Sequence, residues 1–176
     1  MPQVKGKFIT IAGTLMSLYK EHRQKADHLL FKKTGKHYDE LEPEGFYDVT
    51  LFDEFMHKYA EASITGKKAL LTLGRQVFPL IKNTQGLPPN TDSALTLIRF
   101  SAKQFVHDHQ GLPPIKIIRA TEGNVILHLP NIGYDCFMVE GVYLGILEMF
   151  GLKTGQIEHS KCVKKGDRIC EFAITW

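Results

Sequence analysis

The chain has 176 residues, of which 43% are hydrophobic and 23% are charged, and its 22 basic and 19 acidic side chains give a net charge of +3. This is the composition of an ordinary globular domain, so it excludes a disordered or fibrous chain, and the charge is too small to predict nucleic-acid binding. No apolar run reaches the roughly eighteen residues of a membrane span, and the N-terminus lacks the apolar stretch of a secretory signal. We therefore expect one domain over residues 1–176, located in the cytoplasm and free of membrane.

The first half of the chain predicts four helices, because apolar residues recur there at intervals of three and four. The apolar stripes begin at Phe8, Phe52, Ala69 and Leu95. We expect Pro79 to end or kink the third helix, since proline has no N–H to donate and its ring clashes with the preceding turn. Thr91 or Asp92 is expected to cap the fourth helix.

The second half of the chain predicts an antiparallel sheet. The β-branched runs "IKIIRA" and "VILHL", joined by a glycine-containing turn, are typical of a β-hairpin. A second hairpin is predicted from "GQIEHS" and "CEFAITW", because apolar and polar residues alternate in the latter.

Between the hairpins, "FMVEGVYLGILEMFG" is apolar nearly all round, which predicts a buried helix ending at Gly151. Gly141 and Gly145 within it are expected to let another element approach closely. The predicted fold class is therefore α+β, with N-terminal helices followed by an antiparallel sheet on which one helix packs.

The three cysteines and one histidine near the C-terminus form a candidate metal site. Twenty-two residues separate Cys136 from His159, two separate His159 from Cys162, and seven separate Cys162 from Cys170. Three thiolates and one imidazole are a common ligand set for structural zinc. The alternative is that the cysteines only pack in the core, because paired C-x-x-C spacing is absent.

Bringing His159 and Cys162 together needs an irregular strand, because residues three apart on a regular strand point to opposite faces. We expect a bulge or an early turn near Ser160. Basic residues surround the segment, and they are either solvated or lower the pKa values of the thiols. They are Lys153, Lys161, Lys164, Lys165 and Arg168.

Several segments resemble bacterial heme-nitric oxide/oxygen binding (H-NOX) domains, in the same order along nearly the whole chain. They are "VKGKFITIAGTLMSLY", "LLTLGRQVF", "HDHQGLPP", "VILHL" and "YDCFMVEGVYLGILEMFG". The chain resembles most the branch of that family that holds zinc, in which the ligands follow the order Cys, His, Cys, Cys. This resemblance implies that Cys136, His159, Cys162 and Cys170 bind zinc. The C-terminal spacing is also similar to that of vinyl-reductase-type sensor domains.

The chain departs from the H-NOX family where the family binds heme. The position of the family's heme-ligating histidine falls in "LIRFSA", at or beside Arg99, and the place of its Tyr-x-Ser-x-Arg motif reads "LPNIG". Without an axial ligand and without groups that hold the propionates, heme is not expected. His107, His109 and His128 are interpreted as surface or core histidines without a ligand role.

These features predict a regulatory sensor that lacks heme, keeps a Cys3His zinc site, and senses oxidants through its thiols. The resemblance implies a partner in trans, a histidine kinase or a cyclic-dinucleotide enzyme. We expect no enzymatic activity, since no catalytic constellation and no phosphate loop is found in the sequence.

Two other functions remain open. One is a module that binds a hydrophobic small molecule in the former heme cavity. The residues expected to line that cavity are Leu73, Phe78, Leu95, Ile98, Phe105 and Leu127. The other is a scaffold in which zinc is only structural.

Overall fold

The computed structural model describes the backbone of residues 1–176 and every side chain except that of Leu18. The helices are α1 Gly6–Leu15, α2 Lys20–Thr34, α3 Val49–Ala62, α4 Lys68–Gln85, α5 Ala94–Asp108 and α6 Cys136–Met149. The strands are β1 Gln3–Lys5, β2 Phe46–Asp48, β3 His109–Gln110, β4 Lys116–Thr121, β5 Asn124–Leu129, β6 Gln156–Lys161 and β7 Cys170–Thr175. Within the described residues, none of the helices combines the length and the apolar character needed to cross a bilayer.

The two predicted hairpins are confirmed, and they join into one antiparallel sheet of order β4-β5-β7-β6. Alternate residues of the central strands, among them Val125, Leu127, Phe172 and Ile174, are buried against α5 and α6. The apolar face of each strand therefore meets the apolar helices, as period-two alternation requires. The α+β class predicted from the sequence is confirmed.

A second sheet, of order β2-β1-β3, was not predicted. Its strands are two or three residues long, which is too short for any alternation to be visible in the sequence. In this sheet Val4 lies opposite both Tyr47 and His109, so the start of the chain is fixed beside the end of α5.

Helices α4 and α6 pack with their backbones in direct contact. A Cβ atom added to Gly74 would collide with the Met138 carbonyl oxygen, and one added to Gly141 would collide with the Leu71 carbonyl oxygen. The close approach predicted for Gly141 is thus confirmed, and the element that approaches is another helix.

Two local predictions differ from the structure: of the two effects expected of Pro79, the end of the helix is not found, and the cap of α5 is neither Thr91 nor Asp92. α4 does not end at Pro79 but continues to Gln85, because the turn beyond the proline is held by packing of Leu80 and Ile81 against the core. α5 is capped by Ser93, whose Oγ accepts from the Thr96 N–H at 3.2 Å while Thr96 Oγ1 accepts from the Ser93 N–H at 3.0 Å. This is a capping box with threonine in place of the usual glutamate.

Candidate metal centre and internal cavity

Cys136 is placed by the start of α6. The helix begins at this residue because the Asp135 side chain accepts a hydrogen bond from the Phe137 N–H at 3.0 Å. The unpaired N–H groups at a helix N-terminus favour negative charge, so they would help to stabilise a Cys136 thiolate that a bound cation has formed.

The other three donor side chains come from the hairpin of β6 and β7. His159 lies in β6, Cys162 follows the strand, and Cys170 is the first residue of β7. The register between the strands shifts between His159 and Lys161. The bulge predicted near Ser160 is therefore confirmed, and it explains how His159 and Cys162 reach the same side of the hairpin.

The four predicted metal ligands form one cluster. The Cys136 Sγ lies 3.7 Å from the Cys162 Sγ and 3.8 Å from the Cys170 Sγ, and one donor atom from each of the four residues lies within 4.8 Å of the others. In a tetrahedron with metal–sulfur bonds of about 2.3 Å, the sulfurs are about 3.8 Å apart. The spacing is thus that of a zinc–thiolate site, and it is far longer than a disulfide bond.

His159 has the environment of a metal ligand. Its ring stacks on Phe172, with centroids 4.3 Å apart and planes 6° from parallel. Among the described residues its buried Nε2 has no hydrogen-bond partner, and an unpaired buried polar atom is costly. Burial and the nearby Lys165 lower the pKa of His159, so the imidazole is neutral and its lone pair is available.

The thiols need a cation in order to ionise. Burial and the two neighbouring thiols raise the pKa of Cys136. Burial also raises the pKa of Cys170, although the Val163 N–H, 3.4 Å from its sulfur, acts in the opposite direction. A divalent ion would offset two of the three negative charges of the thiolates, and this donor set fits zinc.

A network of charged groups surrounds the cluster at Asp135. The Asp135 Oδ2 lies 3.2 Å from Lys164 Nζ, 3.4 Å from His57 Nε2 and 3.8 Å from Lys67 Nζ. Asp167 in the hairpin loop accepts from the Cys162 N–H at 2.8 Å. The hairpin loop, α3 and the residue before α4 therefore meet at the first turn of α6.

A second feature is an apolar cavity of about 380 Å³ bounded by α1, α4, α5 and α6. Of the residues expected to line it, Phe78 and Phe105 do so. Leu73, Ile98 and Leu127 are instead buried in the packed core, and Leu95 packs on its edge. The prediction failed there because helical periodicity identifies the inward face of a helix without separating packed core from cavity wall.

His109 lines this cavity, which the sequence did not predict. It follows α5 rather than lying on it, and its ring lies between Phe8 and Phe105, with centroid distances of 5.7 and 3.9 Å. Its Nδ1 is 2.8 Å from the Phe105 carbonyl oxygen and its Nε2 is 2.5 Å from the Tyr134 hydroxyl. His107 is exposed and His128 is partly buried and pairs with Glu171; both lie outside the cavity.

The buried His109 makes stability depend on pH. Burial lowers the pKa of His109 below its ordinary value, so between pH 6.5 and the folded pKa the unfolded chain binds a proton that the folded chain does not. Unfolding is thus expected to become easier as the pH falls from about 6.5, by up to about 1.4 kcal/mol per pH unit.

Urea unfolding at pH 7 and pH 5 measures this effect. His109→Gln is expected to reduce the loss of stability between these two pH values, whereas His107→Gln, at an exposed position next to the helix end, should leave it unchanged. An equal loss in wild type and His109→Gln would contradict the assignment.

Comparison with protein-family models and with curated proteins finds no match. Solved structures match over nearly the whole chain. An H-NOX protein from S. oneidensis in the Fe(II)NO ligation state has a TM-score of 0.69 and 17% identity, with 97% of each chain covered. The chain has the H-NOX fold. A mutant Shewanella oneidensis H-NOX domain in the Fe(II)CO state has a TM-score of 0.72 and 18% identity, with 97% of each chain covered. A mutant T. tengcongensis H-NOX has a TM-score of 0.65 and 15% identity, with 97% of this chain and 94% of that one covered.

Identities this low establish the H-NOX fold and no more, so the zinc branch and the vinyl-reductase likeness stay predictions. The cavity can nevertheless be tested for fit to heme, whose distortion has been probed in structures of the H-NOX family. Arg99 is exposed and donates to the Ala120 carbonyl at 2.5 Å, away from the cavity. Lys7, the cation in the cavity wall, is paired with Asp108 at 2.7 Å. Arg99 and Lys7 therefore do not supply the propionate contacts of heme. His109, the histidine in the cavity wall, has its Nε2 hydrogen-bonded to Tyr134 and so does not offer it as an axial ligand.

Proposed function

We propose that the chain is a regulatory sensor with the H-NOX fold that works without heme and responds to oxidants through a zinc-binding Cys3His site. The observation that carries the proposal is the geometry of the cluster. Three sulfurs at tetrahedral spacing meet a buried imidazole nitrogen that lacks a partner among the described residues. A bound zinc ion would hold the three sulfurs as thiolates, the form that oxidants attack.

The three thiols differ in their access to solvent. Cys136 is half-buried, whereas Cys162 and Cys170 are 5% and 8% exposed. An oxidant such as hydrogen peroxide would therefore reach Cys136 first. The Cys136 thiolate attacks the peroxide, the O–O bond breaks, and Cys136 becomes a sulfenic acid, while the leaving hydroxide takes a proton from solvent and departs as water.

A neighbouring thiol completes the reaction. Cys162 or Cys170 attacks the Cys136 sulfur, the S–O bond breaks, a disulfide forms and a second water leaves. Two thiols thus lose two electrons to one peroxide. The sulfurs would move from 3.7 Å to about 2 Å apart, which shifts the hairpin against the first turn of α6.

That shift would reach other parts of the domain through Asp135. Its contacts with Lys164, His57 and Lys67 connect the hairpin to α3 and α4. The moving surface is the signal in this proposal. A histidine kinase or a cyclic-dinucleotide enzyme as the receiving partner follows from the family resemblance and not from a surface of this chain.

The test is metal analysis, a visible spectrum and a peroxide titration on protein from cells supplied with zinc, iron and heme precursor. We expect one zinc per chain, no Soret band, and release of the zinc as two thiols per chain disappear. Dithiothreitol with added zinc should restore the two free thiols and the bound zinc. A stoichiometric Soret band would contradict the heme-free proposal, and thiol loss that leaves the zinc bound would contradict redox sensing.

The cavity favours a second candidate function, a small-molecule binding module. A volume of 380 Å³ lies within the range of ligand pockets, and apolar walls with a few polar groups are their usual composition. The two functions use different side chains and are compatible.

A further inference from the structure

We propose that the cavity binds a neutral aromatic molecule carrying a hydroxyl or N–H group, and that the Tyr134 hydroxyl oxygen accepts a hydrogen bond from it. This inference rests on the second proposed function, ligand binding in the cavity, and names the class of ligand. It is independent of the metal centre.

The walls of the cavity favour an aromatic body. Five phenylalanines contributed by four helices line it, in addition to His109 and Tyr134; they are Phe8, Phe52, Phe78, Phe100 and Phe105. Aromatic rings interact best with other aromatic rings in offset or edge contacts. Tyr134 already makes an edge contact with Phe52, with ring centroids 5.4 Å apart, and His109 stacks on Phe105 with centroids 3.9 Å apart.

The tautomer of His109 follows from its partners. A carbonyl oxygen can only accept, so the Nδ1 that lies 2.8 Å from the Phe105 carbonyl carries the hydrogen. Since burial keeps the ring neutral, the Nε2 has a lone pair and accepts. The Tyr134 hydroxyl, 2.5 Å away, must then be the donor of that hydrogen bond.

This chain of hydrogen bonds determines what the cavity wall offers to a ligand. A phenol has one hydrogen, and Tyr134 gives it to His109, so only the lone pairs of its oxygen remain. A ligand hydroxyl or N–H can satisfy them, whereas a ligand carbonyl or ether placed there would meet lone pair against lone pair. Selection for a donor follows from this polarity.

The charges at the cavity favour a neutral ligand. Asp108 is buried, and its Oδ1 lies 2.7 Å from Lys7 Nζ and 3.4 Å from Lys5 Nζ. Lys7 and Asp108 both line the cavity and compensate each other. A ligand carboxylate would have to displace Asp108 from Lys7, and a ligand ammonium would have to displace Lys7 from Asp108.

The probe pair 2-naphthol and 2-methoxynaphthalene tests the proposal, because the two share an aromatic body and only the first donates a hydrogen bond. Isothermal titration calorimetry on the full zinc-loaded chain should show 2-naphthol binding about fivefold to tenfold more tightly. Tyr134→Phe should reduce this preference, because the His109 Nε2 that Tyr134 no longer occupies is then the acceptor left at this part of the wall. Its effect on 2-naphthol should be larger than its effect on 2-methoxynaphthalene.

Tyr47→Phe is the matched control, because the Tyr47 hydroxyl accepts from the Glu42 N–H at 3.1 Å and the residue lies outside the cavity. It should retain the preference. Phe100→Trp, which reduces the cavity volume, should weaken binding of both probes and provides a second variant if Tyr134→Phe folds poorly. Zinc content is measured in each variant, because Tyr134 is close to Cys136 in the sequence.

The outcomes separate the claims. Equal affinity of the wild type for the two probes, or a preference that is undiminished in Tyr134→Phe, would overturn the assignment of Tyr134 as acceptor while ligand binding itself would stand. Binding of neither probe would overturn ligand binding in the cavity. Neither result tests the zinc site, because zinc binding is measured separately by the metal content.

Discussion

Cys162→Ser is expected to reduce bound zinc from one ion per chain to near zero. It is also expected to lower the free energy of unfolding by about 4 kcal/mol, when the free zinc concentration is about a thousand times the dissociation constant of the wild-type site. The reason is that serine keeps the size of cysteine but provides no thiolate. The remaining Cys136, His159 and Cys170 would leave the tetrahedron incomplete.

Cys162 is the best position for this change, since its backbone has a separate role that serine preserves. The Cys162 N–H donates to Asp167 at 2.8 Å and its carbonyl accepts from the Lys165 N–H at 2.9 Å. These bonds shape the hairpin loop in either variant. The loss of stability therefore reports on the sulfur and its metal.

Urea unfolding with and without a chelator measures the effect. The chelator should destabilise the wild type by about as much as the substitution does, and should do little more to Cys162→Ser, because both remove the same interaction. Ser160→Ala, in the same hairpin, is the matched control and should keep its zinc. A wild type that is unaffected by the chelator would show that the sulfurs only pack together.

The second large effect concerns the contact between α4 and α6. Alanine normally stabilises a helix relative to glycine by about 1 kcal/mol, yet Gly141→Ala is expected to destabilise the protein by about 3 kcal/mol. The added methyl carbon would overlap the Leu71 carbonyl oxygen and would lie 3.0 Å from the Cα of Gly74. Backbone atoms cannot rotate aside as a side chain does, so the two helices must separate.

Thermal and urea unfolding of Gly141→Ala measure this cost. Thr72→Ala is the matched control, because Thr72 is exposed on α4 next to the contact, and its effect should stay within about 0.5 kcal/mol. An unchanged or higher stability of Gly141→Ala would mean that the helices are not held in backbone contact.

The parts of the molecule that could be predicted from the sequence are those whose signal is local or chemical. A β-branched run located β5, strand alternation located β7, and the uniformly apolar run located α6. The donor types of Cys136, His159, Cys162 and Cys170 indicated one cluster. The bulge near Ser160 was predictable as well, since convergence of His159 and Cys162 required it.

The parts that could not be predicted depend on contacts between distant segments. The position of His109 in the cavity wall follows from the pairing of β1 with β3 and from Tyr134, twenty-five residues away. The course of α4 beyond Pro79 depends on tertiary packing that overrides the local cost of proline. The capping box at Ser93 was missed because threonine takes the place usually filled by glutamate or glutamine.

Helix α6 is common to both candidate sites. Cys136 begins it, Met138, Val139 and Val142 line the cavity from it, and Gly141 fixes it against α4. A displacement of this helix on metal binding would therefore also change the cavity and its affinity for a ligand. Thermodynamic linkage makes the effect reciprocal: the factor by which zinc changes the affinity of the cavity equals the factor by which a cavity ligand changes the affinity for zinc.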